Sequence, residues 1–83
     1  MSSSIVYLAI FVLSTSGGLT VEAEGDCYST YDACMLESEA EAKSMALEWQ
    51  SSGQKRAFFK SVEVRCDGMS LEQAKKEGRH VVR

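Results

Sequence analysis

A run of nine apolar residues from Ile5 to Leu13 stands near the amino terminus and limits what this chain of 83 residues can become. It is too short to cross a hydrocarbon core, which takes about 20 apolar residues in a helix. It has the length of the apolar core of a secretory signal, about 7–15 residues, and small and polar residues follow it. The run therefore predicts a signal peptide, although no Lys or Arg precedes it. The alternatives are a core strand, a short buried helix or a retained anchor.

The predicted cleavage site follows from the small side chains that signal peptidase accepts one and three residues before the cut. Val21 with Ala23 meets this requirement, and Ser16 with Gly18 is the second choice. Cleavage after Ala23 gives a signal peptide of residues 1–23.

The predicted mature chain, residues 24–83, is a small domain that contains all three cysteines. A chain this short buries little apolar surface relative to its conformational entropy, so a covalent cross-link is expected. The oxidising secretory route allows cysteines to supply it. The sequence contains no Pro, so no proline interrupts long helices.

Helical periodicity predicts the first element of the mature chain. Residues 27–50 are rich in Ala, Glu, Leu, Met and Lys, which lose little side-chain freedom in a helix. The predicted inner stripe steps alternately by four and three residues. Its members are Cys27, Tyr31, Cys34, Ser38, Ala42, Met45 and Trp49.

The rest of the chain predicts two further helices. Gly53 ends the first helix, because glycine takes the left-handed conformation easily. The following segment predicts a poorer second helix, with a strand from Phe58 to Val64 as the minority interpretation, since β-branched and aromatic residues lose freedom in a helix. A capping box at Ser70 predicts a short third helix from Leu71 to about Arg79. The predicted fold class is all-α: a small disulfide-stabilised helical hairpin with a short third helix.

The three cysteines predict one disulfide. Cys27 and Cys34 in one helix would be about 10.5 Å apart along its axis, whereas a disulfide needs Cα atoms within about 7 Å. With the hairpin turn near Ser52, Cys34 lies 18 residues before it and Cys66 lies 14 after it. We therefore predict Cys34–Cys66, with Cys27–Cys66 as the alternative. Cys27 is left as a free thiol or as an intermolecular bond that would make a homodimer.

Catalytic and metal-binding patterns are not found in the sequence. A single histidine, His80, does not support a Ser–His–Asp arrangement, and the cysteines lack the close C-x₂₋₄-C spacing of structural zinc sites. No glycine-rich phosphate loop is present. The basic residues of the second half are too sparse to indicate nucleic acid. We predict no enzyme activity, no cofactor, no metal and no membrane span in the mature chain.

Two adjacent aromatic residues, Phe58 and Phe59, predict a contact surface. They cannot both face one side of a helix, so one of them is expected to touch a partner. Basic residues flank the pair. The candidate partner surface consists of Lys55, Arg56, Phe58, Phe59 and Lys60.

The predicted layout resembles the small helical-hairpin toxins of venoms, in which disulfides clamp two antiparallel helices. Those toxins carry C-x₃-C on each helix, whereas this chain has C-x₆-C and one further cysteine, so no residue role is carried over. We expect a secreted ligand of an extracellular protein or receptor, such as a venom toxin or parasite effector. The alternatives are a precursor cut at the dibasic pairs Lys55-Arg56 and Lys75-Lys76, or a structural component of a secreted matrix.

Overall fold

The computed structural model describes residues 4–51 and 59–82, which form a mixed α/β fold. The predicted all-α helical hairpin is wrong. A strand takes the place of the predicted second helix, and the apolar amino-terminal run itself forms a strand. Along the chain the elements are β1 Ile5–Thr15, β2 Thr20–Tyr28, α1 Tyr31–Ser51, β3 Phe59–Ser70, α2 Leu71–Lys76 and β4 Val81–Val82. The strands form one sheet in the order β3-β1-β2-β4. β1 pairs antiparallel with both β2 and β3, and β4 runs parallel to β2.

β1 lies inside the sheet because it is apolar on both faces. Side chains alternate between the two faces of a strand. Val6, Leu8 and Ile10 are buried on one face, and Ala9 and Phe11 are buried on the other. A continuous apolar run of this length is typical of a strand that is covered on both sides. In the structure the run therefore forms a core strand, which is one of the alternatives to a signal peptide.

The predicted signal peptide, residues 1–23, contains all of β1 and the first four residues of β2. β2 and β3 both pair with β1 and lie on opposite sides of it. Cleavage after Ala23 would remove the strand that joins them. The segment cannot be both a discarded signal and β1 of the same folded molecule, and secretion stays a prediction.

α1 begins at Tyr31, so the helix predicted from Cys27 is wrong over its first turn. The Thr30 hydroxyl caps the helix by accepting a hydrogen bond from the Ala33 amide at 3.1 Å. Cys27 instead continues the ladder of β2 beside β1. From Tyr31 onward the predicted inner stripe is confirmed at its centre, where three side chains are buried against the sheet. These are Cys34, Ser38 and Ala42.

β3 replaces the predicted second helix, and the minority strand interpretation was closer. Its side chains alternate with a period of two, which is the period of a strand rather than a helix. Half-buried residues on the α1 side alternate with exposed charged residues on the other side. The first set is Val62, Val64 and Cys66, and the second is Glu63, Arg65 and Asp67.

The carboxyl-terminal part contains the predicted third helix in a shorter form. Ser70 caps α2 by accepting a hydrogen bond from the Gln73 amide at 3.1 Å, as the capping box predicts. The helix ends at Lys76 instead of Arg79.

Beyond α2 the chain returns to the sheet as β4. This strand covers only Cys27 and Tyr28 of β2, so the outer edge of β2 from Thr20 to Asp26 meets no strand within the described residues. The sheet therefore has two uneven edges: a long one at β3 and a mostly polar one at β2.

The central place of β1 predicts a large effect of Phe11→Ala. Phe11 is 3% exposed, so its truncation should lower the free energy of unfolding by about 3–5 kcal/mol. Leu19→Ala is the control, because Leu19 is 71% exposed in the turn after β1 and its truncation should change stability by less than about 0.5 kcal/mol. Urea denaturation followed by circular dichroism measures both. Equal midpoints for Phe11→Ala and the unmodified chain would show that β1 is not in the core.

Candidate functional site

A disulfide fixes α1 to β3. Cys34 in the first turns of α1 is bonded to Cys66 of β3, with their Cα atoms 6.3 Å apart and a sequence separation of 32 residues. This is the predicted pairing. Cys66 reaches α1 because it shares a face of β3 with Val62 and Val64. The bond therefore sets the position of the helix relative to one edge of the sheet.

A groove opens beside this cross-link, between α1 and β3. Its volume is about 460 Å³. Apolar side chains from both elements line it, and three charged residues take part at the rim. We call it the edge groove, defined by Met35, Glu39, Ala42, Lys43, Val62, Glu63 and Val64. It is open to solvent on the side away from β1.

The edge groove runs along a strand whose outer backbone has no neighbour in the described part of the chain. β3 is the terminal strand of the sheet and pairs with β1 alone among the described residues. A terminal strand presents a row of N–H and C=O groups that another strand can use. Proteins usually shorten such edges or block them with proline, and β3 is twelve residues long with no proline. An unpaired edge next to an apolar groove is the arrangement in which extended peptides bind by strand addition.

The other face of the sheet is covered differently. Arg65 of β3 reaches across β1 to Glu22 of β2 with an N–O distance of 3.5 Å, and it also pairs with Asp67 at 3.1 Å. Arg65 lies opposite Ile10 of β1, and Glu22 lies opposite Val12, so the ion pair spans these two apolar side chains. All three charged side chains are about half exposed, and such pairs contribute about 0–1 kcal/mol each.

A second arginine extends this charged cover. Arg79 pairs with Glu77 at 2.6 Å and with Glu24 at 3.2 Å. Hydrogen bonds from Gln73 and Arg79 hold the pKa of Glu77 below its ordinary value. This face is thus closed by ion pairs and by α2, and the edge groove lies on the opposite face.

The predicted partner surface does not coincide with the edge groove. Lys55, Arg56 and Phe58 lie outside the described residues. Phe59 is the first residue of β3, and Lys60 is exposed at the same strand. Sequence reasoning missed the groove residues on β3 because it read this segment with the period of a helix. The alternation of apolar and charged residues from Val62 to Asp67 is the signal that could have identified them.

Cys27 is a free thiol and is fully buried. It packs with Val6, Leu8, Ile10 and Ala74 between the sheet and α2. A disulfide from Cys27 to a second chain would require β2 to open, so the predicted dimer through this residue has no support in the geometry. Burial raises the pKa of the thiol, and the nearby Arg79 partly offsets that increase.

A comparison with protein families, with characterised proteins and with solved structures finds no significant match to this chain. Within residues 4–51 and 59–82, no group of three His, Cys, Asp or Glu side chains is placed to hold a metal ion. Neither helix of this part is long and apolar enough to cross a bilayer.

Removal of the disulfide should destabilise the fold strongly. Replacing both bonded cysteines, Cys34→Ser with Cys66→Ser, should lower the free energy of unfolding by about 3–4 kcal/mol, because the unfolded chain regains the freedom of a loop of about thirty residues. Urea denaturation with and without reductant measures the effect. Cys27→Ala is the matched control, and reductant should destabilise it as much as the unmodified chain. If reductant leaves the unmodified chain unchanged, the cross-link does not hold the fold.

The buried thiol predicts a loss of stability at alkaline pH. Because the pKa of Cys27 is higher in the folded chain than its ordinary value of about 8.5, the folded state holds this proton more tightly. The contribution is complete below the unfolded pKa and is lost as pH rises through the folded pKa, with a slope of at most about 1.4 kcal/mol per pH unit. Tyr28, whose pKa burial also raises, adds a loss at higher pH. Urea denaturation from pH 7 to 10 should show a shallower decline in Cys27→Ala. An identical decline in both proteins would contradict the assignment.

Proposed function

We propose that this chain is a non-enzymatic binding domain that contacts another polypeptide at the edge of β3. The observation that carries the proposal is that the outer edge of β3, which pairs with no other described strand, lies next to the edge groove. An added strand would gain backbone hydrogen bonds along β3. Its alternate side chains would enter the groove, since successive residues of a strand point to opposite faces.

The chemistry of the groove supports a polypeptide as the occupant. Val62, Val64 and Ala42 offer apolar contact, and burial of apolar area contributes about 25 cal/mol per Å². Glu39 and Lys43 at the rim carry opposite charges, so they favour a partner with both signs of charge over a uniformly charged polymer.

The disulfide supports a location outside reducing compartments. Cys34–Cys66 is the covalent link between α1 and β3, which are the two walls of the groove. Such bonds form and persist in oxidising surroundings and are rare in the cytosol. We propose that the chain acts where this bond is stable and that β1 stays on the folded molecule. The contact is made through a sheet edge instead of the helical face that the sequence favours.

Dibasic processing has less structural support than a binding role. Lys75 and Lys76 form the end of α2, and a cut after them would separate β4 from the helix that precedes it. The other pair, Lys55-Arg56, lies outside the described residues.

Photo-crosslinking tests the proposed contact surface. A benzoyl-phenylalanine residue in place of Glu39, in the edge groove, should yield a covalent adduct in the cells that make the protein. The matched control carries the same group at Asp26, which is exposed on β2 and separated from β3 by β1. Adducts that form equally from both positions, or from neither, would contradict the proposal.

A further inference from the structure

We infer that the polypeptide that occupies the edge of β3 is a second copy of this chain. The inference rests on the proposed function, because it names the partner of that same surface. Two antiparallel β3 strands related by a two-fold axis would join two four-stranded sheets into one sheet of eight strands. Isologous contacts of this kind are the commonest way in which identical chains pair.

Backbone geometry restricts how two β3 edges can meet. Along an antiparallel strand, residues whose N–H and C=O groups point outward alternate with residues whose groups point inward. When two copies pair through the same edge, residues whose backbone N–H and C=O groups point outward must face one another. The two-fold axis of a symmetric pair therefore passes beside one residue, which faces the same residue of the other copy. The overlap of Phe59–Ser70 with its own copy is greatest, at eleven residues, in the registers centred on Val64 and on Arg65.

The charges of β3 select one of these registers. Centring on Arg65 places two guanidinium groups together and also sets Glu63 against Asp67 of the partner subunit. Centring on Val64 places Glu63 opposite the partner's Arg65, twice by symmetry, with no like charges opposed. Opposite charges facing across a sheet are favourable and like charges are not, so of the two registers with the greatest overlap only this one makes the strand complementary to itself.

Glu63 is available for such a pair. Its side chain is exposed and forms no ion pair with any other described residue. Arg65 already contacts Asp67 and Glu22, and its guanidinium has five N–H donors, so a further carboxylate can be accommodated. The pairing adds a contact without breaking one that the single chain makes.

The apolar surface fits the same arrangement. Directly opposed residues of an antiparallel pair lie on the same face, so both α1 helices would lie on one side of the joined sheet. The two edge grooves then face each other across Val64, and Val62 of each copy meets Cys66 of the partner subunit. Leu36 and Leu47 of α1 are 72% and 65% exposed. They lie opposite the buried stripe of α1, so they point away from the sheet and are not part of this contact.

Sedimentation equilibrium of the oxidised full-length chain tests the inference. The expected mass is twice 9.1 kDa, with dissociation on dilution. Charge reversal by Glu63→Arg should raise the dimer dissociation constant by about tenfold, because two facing pairs become repulsive. Glu63→Arg combined with Arg65→Glu should restore dimerisation, since the signs are exchanged. Thermal unfolding of each variant at low concentration separates a loss of pairing from a loss of fold.

A cysteine introduced at the proposed axis tests the register. In a Cys27→Ala background, Val64→Cys should form a symmetric disulfide, because facing Cα atoms lie about 4.5–5.5 Å apart, within the range that a disulfide spans. Lys60→Cys is the matched control, since it lies on the same face but about 26 Å along the strand from its own copy and faces no cysteine. Cross-linking of Lys60→Cys in preference to Val64→Cys would overturn the inference.

The outcomes separate this inference from the proposed function. Suppose that the mass stays at 9.1 kDa at the highest soluble concentration and that photo-adducts from Glu39 contain a different protein. This result would overturn the inference that the partner is a second copy, and it would still support the proposed contact surface. A monomer without adducts would overturn both. A dimer whose adducts contain only this chain supports both.

Discussion

The pairing of β1 with strands on both sides is the interaction on which the rest of the structure depends. β1 lies between β2 and β3 and buries apolar side chains on both faces. One face supports α1, and the other supports α2. Without β1 the disulfide would join a helix to a strand that has no sheet to belong to. The fold is therefore organised around β1, which also positions α1 and β3, the two walls of the edge groove.

Several elements could be predicted from local sequence because their causes are local. The cap at Ser70 and the centre of the stripe of α1 depend on residues a few positions apart. The pairing of Cys34 with Cys66 was predicted correctly from an incorrect hairpin. Both arrangements bring a segment after the first helix back along it, so the two cysteines meet in either case.

The errors concern segments whose meaning depends on distant parts of the chain. An apolar run such as Ile5–Leu13 has the length of an export signal and also of a strand buried on two sides. Only the presence of β2 and β3 as neighbours distinguishes these cases. The edge groove shows the same difficulty, because Met35 and Val62 are adjacent in space and far apart in sequence. The exposure of one edge of β3 could not be foreseen without the strand order.

The uneven edges of the sheet bear on how far assembly can proceed. β4 leaves most of β2 uncovered within the described residues, and that stretch carries Glu22, Glu24 and Asp26 with no basic residue. Two such edges would oppose carboxylates in any well-overlapped register. Growth into an open-ended fibril needs two adhesive sides, and this molecule offers one. In the proposed dimer both β3 edges are already paired, and the acidic β2 edges that remain would repel each other, so the proposed assembly would stop at two copies.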